Sequence, residues 1–261
     1  MARDHALAVS AEPGRALLRF YGWREPTLSF GRNEPAEGRW QADRLRGAGF
    51  SIVRRPTGGR AVLHRRELTY AVVVHRADVQ GARDLYQRIN RGLARALQSL
   101  GVPAVVAEAR RTATSAVDGS DRTLASDARV LPVDAGPCFE APAPGEVTVM
   151  GRKLVGSAQA RIEQAFLQHG SILLHDDQGL IDPFRSDHGA AVESGAGGIS
   201  LAELLTRVPD RATLARVFSD GLRDEFEVES WDQVATLPGA GGIMEAEWLR
   251  HYQTDAWTWR R

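Results

Sequence analysis

The spacing of apolar residues changes several times along the chain, and each spacing predicts a different element. Positions 17–32 read as two short strands separated at Pro26, which lacks an amide donor and disfavours helix before it. Positions 51–55 and 61–64 are strand candidates on either side of a Pro-Thr-Gly-Gly turn. Positions 68–74, LTYAVVV, form the longer apolar run of a buried strand. In 82–100 the spacing becomes helical, with Leu85, Ile89, Leu93, Ala96 and Leu97 on one face and Gly101 placed to end the helix. From 107 to 136 periodicity is lost among Arg, Ser, Thr, Asp and Ala, which predicts a long surface loop ending near Cys138. Strands follow at 146–150 and 153–159, joined through Gly151-Arg152; glycine first in a two-residue connection suits a type II′ hairpin. Another strand is expected at 169–174, and helical patterns occupy 200–208, 213–226 and 244–257.

Strands first and helices last predict an α+β fold, with mixed or antiparallel sheets and flanking helices rather than βαβ repeats. The chain shows no internal repeat and no composition shift that would mark a linker. Its 261 residues suffice for one large domain or two modest ones.

Composition narrows the function classes. With 43% hydrophobic and 25% charged residues, the chain has an ordinary globular make-up. Its 33 basic side chains balance 33 acidic ones, so no overall field favours nucleic acid or an anionic membrane. No apolar run approaches the roughly 20 residues of a membrane helix, and MARDHALAVS lacks the apolar core of a secretion signal. The expectation is a cytoplasmic protein. A single cysteine, Cys138, excludes an internal disulfide and a multi-cysteine zinc site.

Candidate chemistry gathers at three places. The run RRPTGGRAVLH, 54–64, is rich in glycine and positive charge, but no Gly-Lys-Ser/Thr follows, so a tight turn and a binding loop both remain open. Lys153 stands in an otherwise apolar strand, and simple alternation puts it on the face of Val155 and Ser157. Turned inward near Cys138, its charge would favour the thiolate; turned outward, it would be solvated. His64, His169 and His175 form no HExxH pattern, so no metal is expected, although one histidine could serve Cys138 as a base.

Taken together, RRPTGGRAVLHRRELTY, CFEAP at Cys138, GRKLVGSAQAR at 151–161 and QHGSILL at 168–174 resemble the biotin/lipoate protein ligase and octanoyltransferase superfamily. The likeness is greatest to octanoyltransferases of the LipM type, which carry a cysteine just upstream of the Gly-Arg-Lys hairpin. ATP-dependent lipoate ligases usually have a third glycine where this chain has Arg60, then His-Asp-x-Gly-Asn where it has HRREL. The resemblance implies a class II synthetase-like catalytic domain over 1–205, with 206–261 a helical extension packed on it. It implies transfer of an octanoyl group from acyl carrier protein to a lysine of a lipoyl-domain protein, such as the glycine-cleavage H protein, through a Cys138 thioester. No cofactor is implied, since one thioester replaces another.

On this resemblance Lys153 is the active-site lysine, supporting the thiolate and the oxyanion. Thr57, Gly58 and Gly59 would line the substrate with bare backbone. Val62, His64, Val155, Gly156, Ser157 and Ala158 would wall the acyl pocket, with Ser157 near the carbonyl. Arg54 and Arg55 face either solvent or the acidic carrier and its phosphopantetheine. Alternatives left open are an ATP-dependent lipoate ligase, an amidotransferase drawing octanoyl from the H protein, and a silent module that grips carrier domains.

Overall fold

The computed structural model describes residues 1–108, 139, 143–186, 197–226 and 242–260. In chain order these form α1 (Ala2–Val9), β1 (Ala16–Tyr21), β2 (Thr27–Phe30), α2 (Ala42–Gly47), β3 (Ser51–Arg54), β4 (Val62–His64), β5 (Glu67–His75), α3 (Ala82–Ser99) and β6 (Val105–Val106). They continue with β7 (Val147–Val149), β8 (Arg152–Ile162), β9 (Ala165–Leu173), α4 (Leu201–Leu204), α5 (Arg211–Phe226), α6 (Ile243–Tyr252) and α7 (Asp255–Thr258). Most of the expected loop at 107–136, and Cys138 itself, lie outside the described residues.

Six strands pair in the order β1-β5-β9-β8-β7-β6, every neighbour antiparallel. A smaller sheet runs β3-β2-β4, parallel on one side of β2 and antiparallel on the other. The α+β expectation with mixed and antiparallel sheets holds.

The apolar run of β5 is buried on both faces because alternate residues serve different layers. Leu68, Tyr70, Val72 and Val74 meet Leu85, Ile89, Leu93 and Leu97 of α3, with Leu214, Phe218 and Leu222 of α5 completing the main core. Ala71 and Val73 point the other way, toward Leu7 and Ala8 of α1. That second face is shared between α1 and the small sheet, which has its own core of Leu28, Phe30, Leu63 and Trp40.

Two local expectations need correcting. The connection between β7 and β8 is Met150-Gly151, with φ of 50° and 76°; positive φ at both positions makes it a type I′ rather than a type II′ turn. The single helix expected at 244–257 is two, because Thr254 caps α7 by accepting from the Trp257 amide at 3.2 Å. The sequence pattern predicts no helix over 2–9, where the chain forms α1. Its last turn lacks a basic residue, but His5 stacks on Trp248 of α6 with ring centroids 3.4 Å apart.

Candidate active site

The turn between β3 and β4 is held from beneath. Arg55 is buried, and its Nη2 donates to the carbonyls of Gly58 at 2.8 Å and Arg60 at 2.7 Å, while Nη1 donates to the Ser29 carbonyl at 3.0 Å. Arg54 is buried as well, donating to the carbonyls of Gly31 at 2.6 Å, Glu34 at 2.7 Å and Thr258 at 3.0 Å. Neither arginine is solvated and neither faces outward, which corrects both readings of the pair: their donors satisfy main-chain carbonyls within the fold. Gly31 lies directly under the turn, so that a Cβ there would stand 1.7 Å from the Gly59 oxygen, and Gly59 itself has φ of 90°.

Thr57 and His169 connect the two sheets, Oγ1 lying 2.6 Å from Nε2. Burial lowers the His169 pKa, which keeps the ring neutral, and its Nδ1 is 3.7 Å from Asp4 Oδ2 of α1. Burial alone would raise the Asp4 carboxyl; His169 and Arg19 outweigh it and hold the group well below the usual carboxylate range. Tyr21 also donates to Asp4 Oδ2 at 3.0 Å.

His64 is buried beneath Trp23, whose ring stacks 4.2 Å away at 13°. Its Nε2 lies 2.7 Å from Ser29 Oγ and its Nδ1 2.7 Å from Glu67 Oε1. Ser29 Oγ already accepts from Arg55 at 3.1 Å, so its own proton suits Nε2, and Nδ1–H then donates to Glu67. Thr69 and Ser171 add hydroxyl donors to the same Glu67 oxygen, at 2.6 and 2.9 Å. Both ring nitrogens of His64 are thus engaged, by Ser29 and by Glu67, which fixes the ring's orientation.

Lys153 is only 2% exposed, which decides between its two readings: the side chain is inward. Its Nζ donates to Glu146 Oε1 at 2.6 Å and lies 5.1 Å from the Phe139 ring centroid. Simple alternation fails here because β8 carries a bulge: Thr148 pairs with Lys153, but Val147 pairs with Val155. Leu154 and Val155 both enter the main core, and Lys153 turns to the face of Gly156, where a Cβ would meet Lys153 Cε at 3.4 Å and Phe139 Cζ at 2.9 Å. Phe139, the residue after Cys138, packs with Val62 and Leu173.

The expected pocket residues therefore divide. Gly156 and Ala158 pair in register with Ser171 and His169, on the face toward Thr57, Val62 and His64. Val155 and Ser157 face α3 instead, which corrects their placement in one pocket with the others. Ser157 Oγ is engaged by the Tyr70 hydroxyl at 2.7 Å and by Asn90 Oδ1 at 3.1 Å, so it does not attend a carbonyl at Lys153. Sequence reasoning missed Glu146, Phe139, Ser29, Glu67 and Trp23. Only Glu146 left a trace, an acidic residue opening an apolar strand. Among the described residues no three His, Cys, Asp or Glu side chains gather as a metal site requires.

The profile of the lipoyl protein ligase A/B catalytic domain matches residues 1–222. The chain belongs to this family. Among relatives of this lipoyl ligase-type chain, Octanoyltransferase LipM of Symbiobacterium thermophilum is 40% identical over 186 residues, covering 69% of this chain and 62% of that protein. The chain thus matches about three fifths of that relative's length. Octanoyltransferase LipM of an Exiguobacterium species is 32% identical, covering 100% of this chain and 93% of its own. A solved lipoate-protein ligase A bound with ATP superimposes with a TM-score of 0.72 at 19% identity, covering 99% of this chain and 92% of that one. The ligase of a bipartite system from Thermoplasma acidophilum gives 0.71 at 19% identity, covering 99% and 89%. These likenesses establish the lipoate ligase fold.

Proposed function

We propose that this protein is an octanoyltransferase of protein lipoylation, moving an octanoyl group from acyl carrier protein to one lysine of a lipoyl-domain protein such as the glycine-cleavage H protein. The observation that carries this reading is the buried Lys153 ammonium, 5.1 Å from the ring of Phe139, the residue joined directly to Cys138. The LipM octanoyltransferases among its relatives support it.

In the first step the Cys138 thiolate adds to the donor's thioester carbonyl and the carrier's pantetheine thiolate leaves. In the second, the neutral amine of the acceptor lysine adds to the new thioester, and Cys138 departs with its sulfur taking up the proton that the amine nitrogen loses as the amide forms. Lys153 supplies fixed positive charge where each oxyanion develops. The main chain of Thr57, Gly58 and Gly59 admits the pantetheine arm, and Val62, Gly156 and Ala158 wall the acyl chain. His64 and Arg55 act from behind by fixing the turn. The C-terminal helices, from 206 onward, belong to this unit: α5 covers α3, and α6 braces α1.

The reading is tested by mixing the protein with octanoyl carrier protein and a lipoyl-domain acceptor without ATP. Acceptor octanoylation by wild type and none by Cys138→Ser is the expected result. Octanoylation of the acceptor from free octanoate that requires ATP, with no transfer from the carrier, would replace the transferase by a ligase.

A further inference from the structure

One carboxylate joins Lys153 to the main chain at Ala143. Glu146 Oε1 accepts from Lys153 Nζ at 2.6 Å, and Oε2 accepts from the backbone amide of Ala143 at 2.8 Å, five residues beyond Cys138 in the chain. Glu146 is itself fixed at the sheet edge. Its carbonyl accepts from the Ala107 amide at 2.8 Å and its amide donates to the Ala143 carbonyl at 3.2 Å. Among the described residues, Phe139 packs with Val62 and Leu173 beside the pair, and Gly156 leaves room for the lysine stem.

We propose that Glu146 is a positioning residue that holds Lys153 as an ammonium and ties it to the main chain at Ala143. An opposite charge in contact favours the ammonium, whereas burial among apolar groups alone would favour the neutral amine. On this assignment Lys153 is an electrostatic group and not the base that deprotonates the acceptor amine. The inference rests on the catalytic reading of Lys153 given above.

The test compares wild type with Glu146→Gln, Glu146→Asp and Lys153→Met for the rate of octanoyl-enzyme formation. Acetylation of Lys153 by acetic anhydride is followed in parallel by peptide mass, because only a neutral amine reacts. Glu146→Gln keeps the shape and removes the charge: octanoyl-enzyme formation should fall by roughly 100-fold and Lys153 should acetylate faster. Glu146→Asp keeps the charge, so Lys153 should stay protected while the rate falls less than in the Gln variant. Should Glu146→Gln fail to fold, the Asp variant decides: protected Lys153 with a slowed rate supports the assignment, and a wild-type rate overturns it. Wild-type rate and unchanged Lys153 labelling in Glu146→Gln, with Lys153→Met slow, overturn the role of Glu146 alone. A wild-type rate in Lys153→Met overturns the catalytic reading of Lys153, and this inference with it.

Discussion

Arg54 Nε donates to the carbonyl of Thr258 at 3.0 Å, so the strand leading into the glycine turn holds the last helix of the described chain. The same guanidinium reaches Arg260 through Nη2 at 3.1 Å, and the Trp257 indole donates back to the Arg54 carbonyl at 2.9 Å. Arg54→Met leaves several buried carbonyls without a donor, and a loss of about 3 kcal/mol is expected. Arg54→Lys should recover less than half, because one ammonium cannot reach carbonyls spread around a planar fork. Urea midpoints of the three proteins check this.

Backbone contact at Gly31 makes a second expectation sharp. A methyl group there would overlap the Gly59 carbonyl, which is main chain and cannot rotate aside. Gly31→Ala should cost at least ~3 kcal/mol and displace the turn. Gly47→Ala, where nothing lies within 4 Å, should change stability by less than about 1 kcal/mol, on the stabilising side. Equal effects at the two positions in thermal melts would contradict the close approach.

The contact between α1 and α6 should weaken in mild acid. Partial burial, with the nearby charges of His251 and Arg32, lowers the His5 pKa to about 4. Between the ordinary value near 6.5 and that value, the unfolded chain binds a proton that the folded chain declines, so stability falls as pH falls through this window. His5→Gln should flatten the dependence of the urea midpoint between pH 6.5 and 4. A variant with the wild-type slope would remove His5 from the account.

Much of this was legible in the sequence, and the failures have physical causes. The double-faced burial of β5 and the helical stripe of α3 are local patterns, and they were read correctly. The inward position of Lys153 was open because it depends on a bulge, which shifts phase by one residue and is set by pairing with β7 rather than by β8 itself. The burial of Arg54 and Arg55 leaves no mark in the sequence because many of their acceptors are main-chain carbonyls, present at every residue and therefore absent from any pattern of side chains. The polar links of Asp4 to Arg19 and His169, and of Glu67 to Ser171, join residues distant in sequence, and no spacing announces them. The motifs around Cys138 and Lys153 nevertheless carried the family.

The central claim is that Cys138 carries the acyl group, and the mass of the intact protein after incubation with octanoyl carrier protein, without ATP or acceptor, tests it most directly. Wild type should gain one octanoyl group that hydroxylamine removes, and Cys138→Ser should gain none. Wild-type protein that stays unmodified while still octanoylating an acceptor would contradict the account.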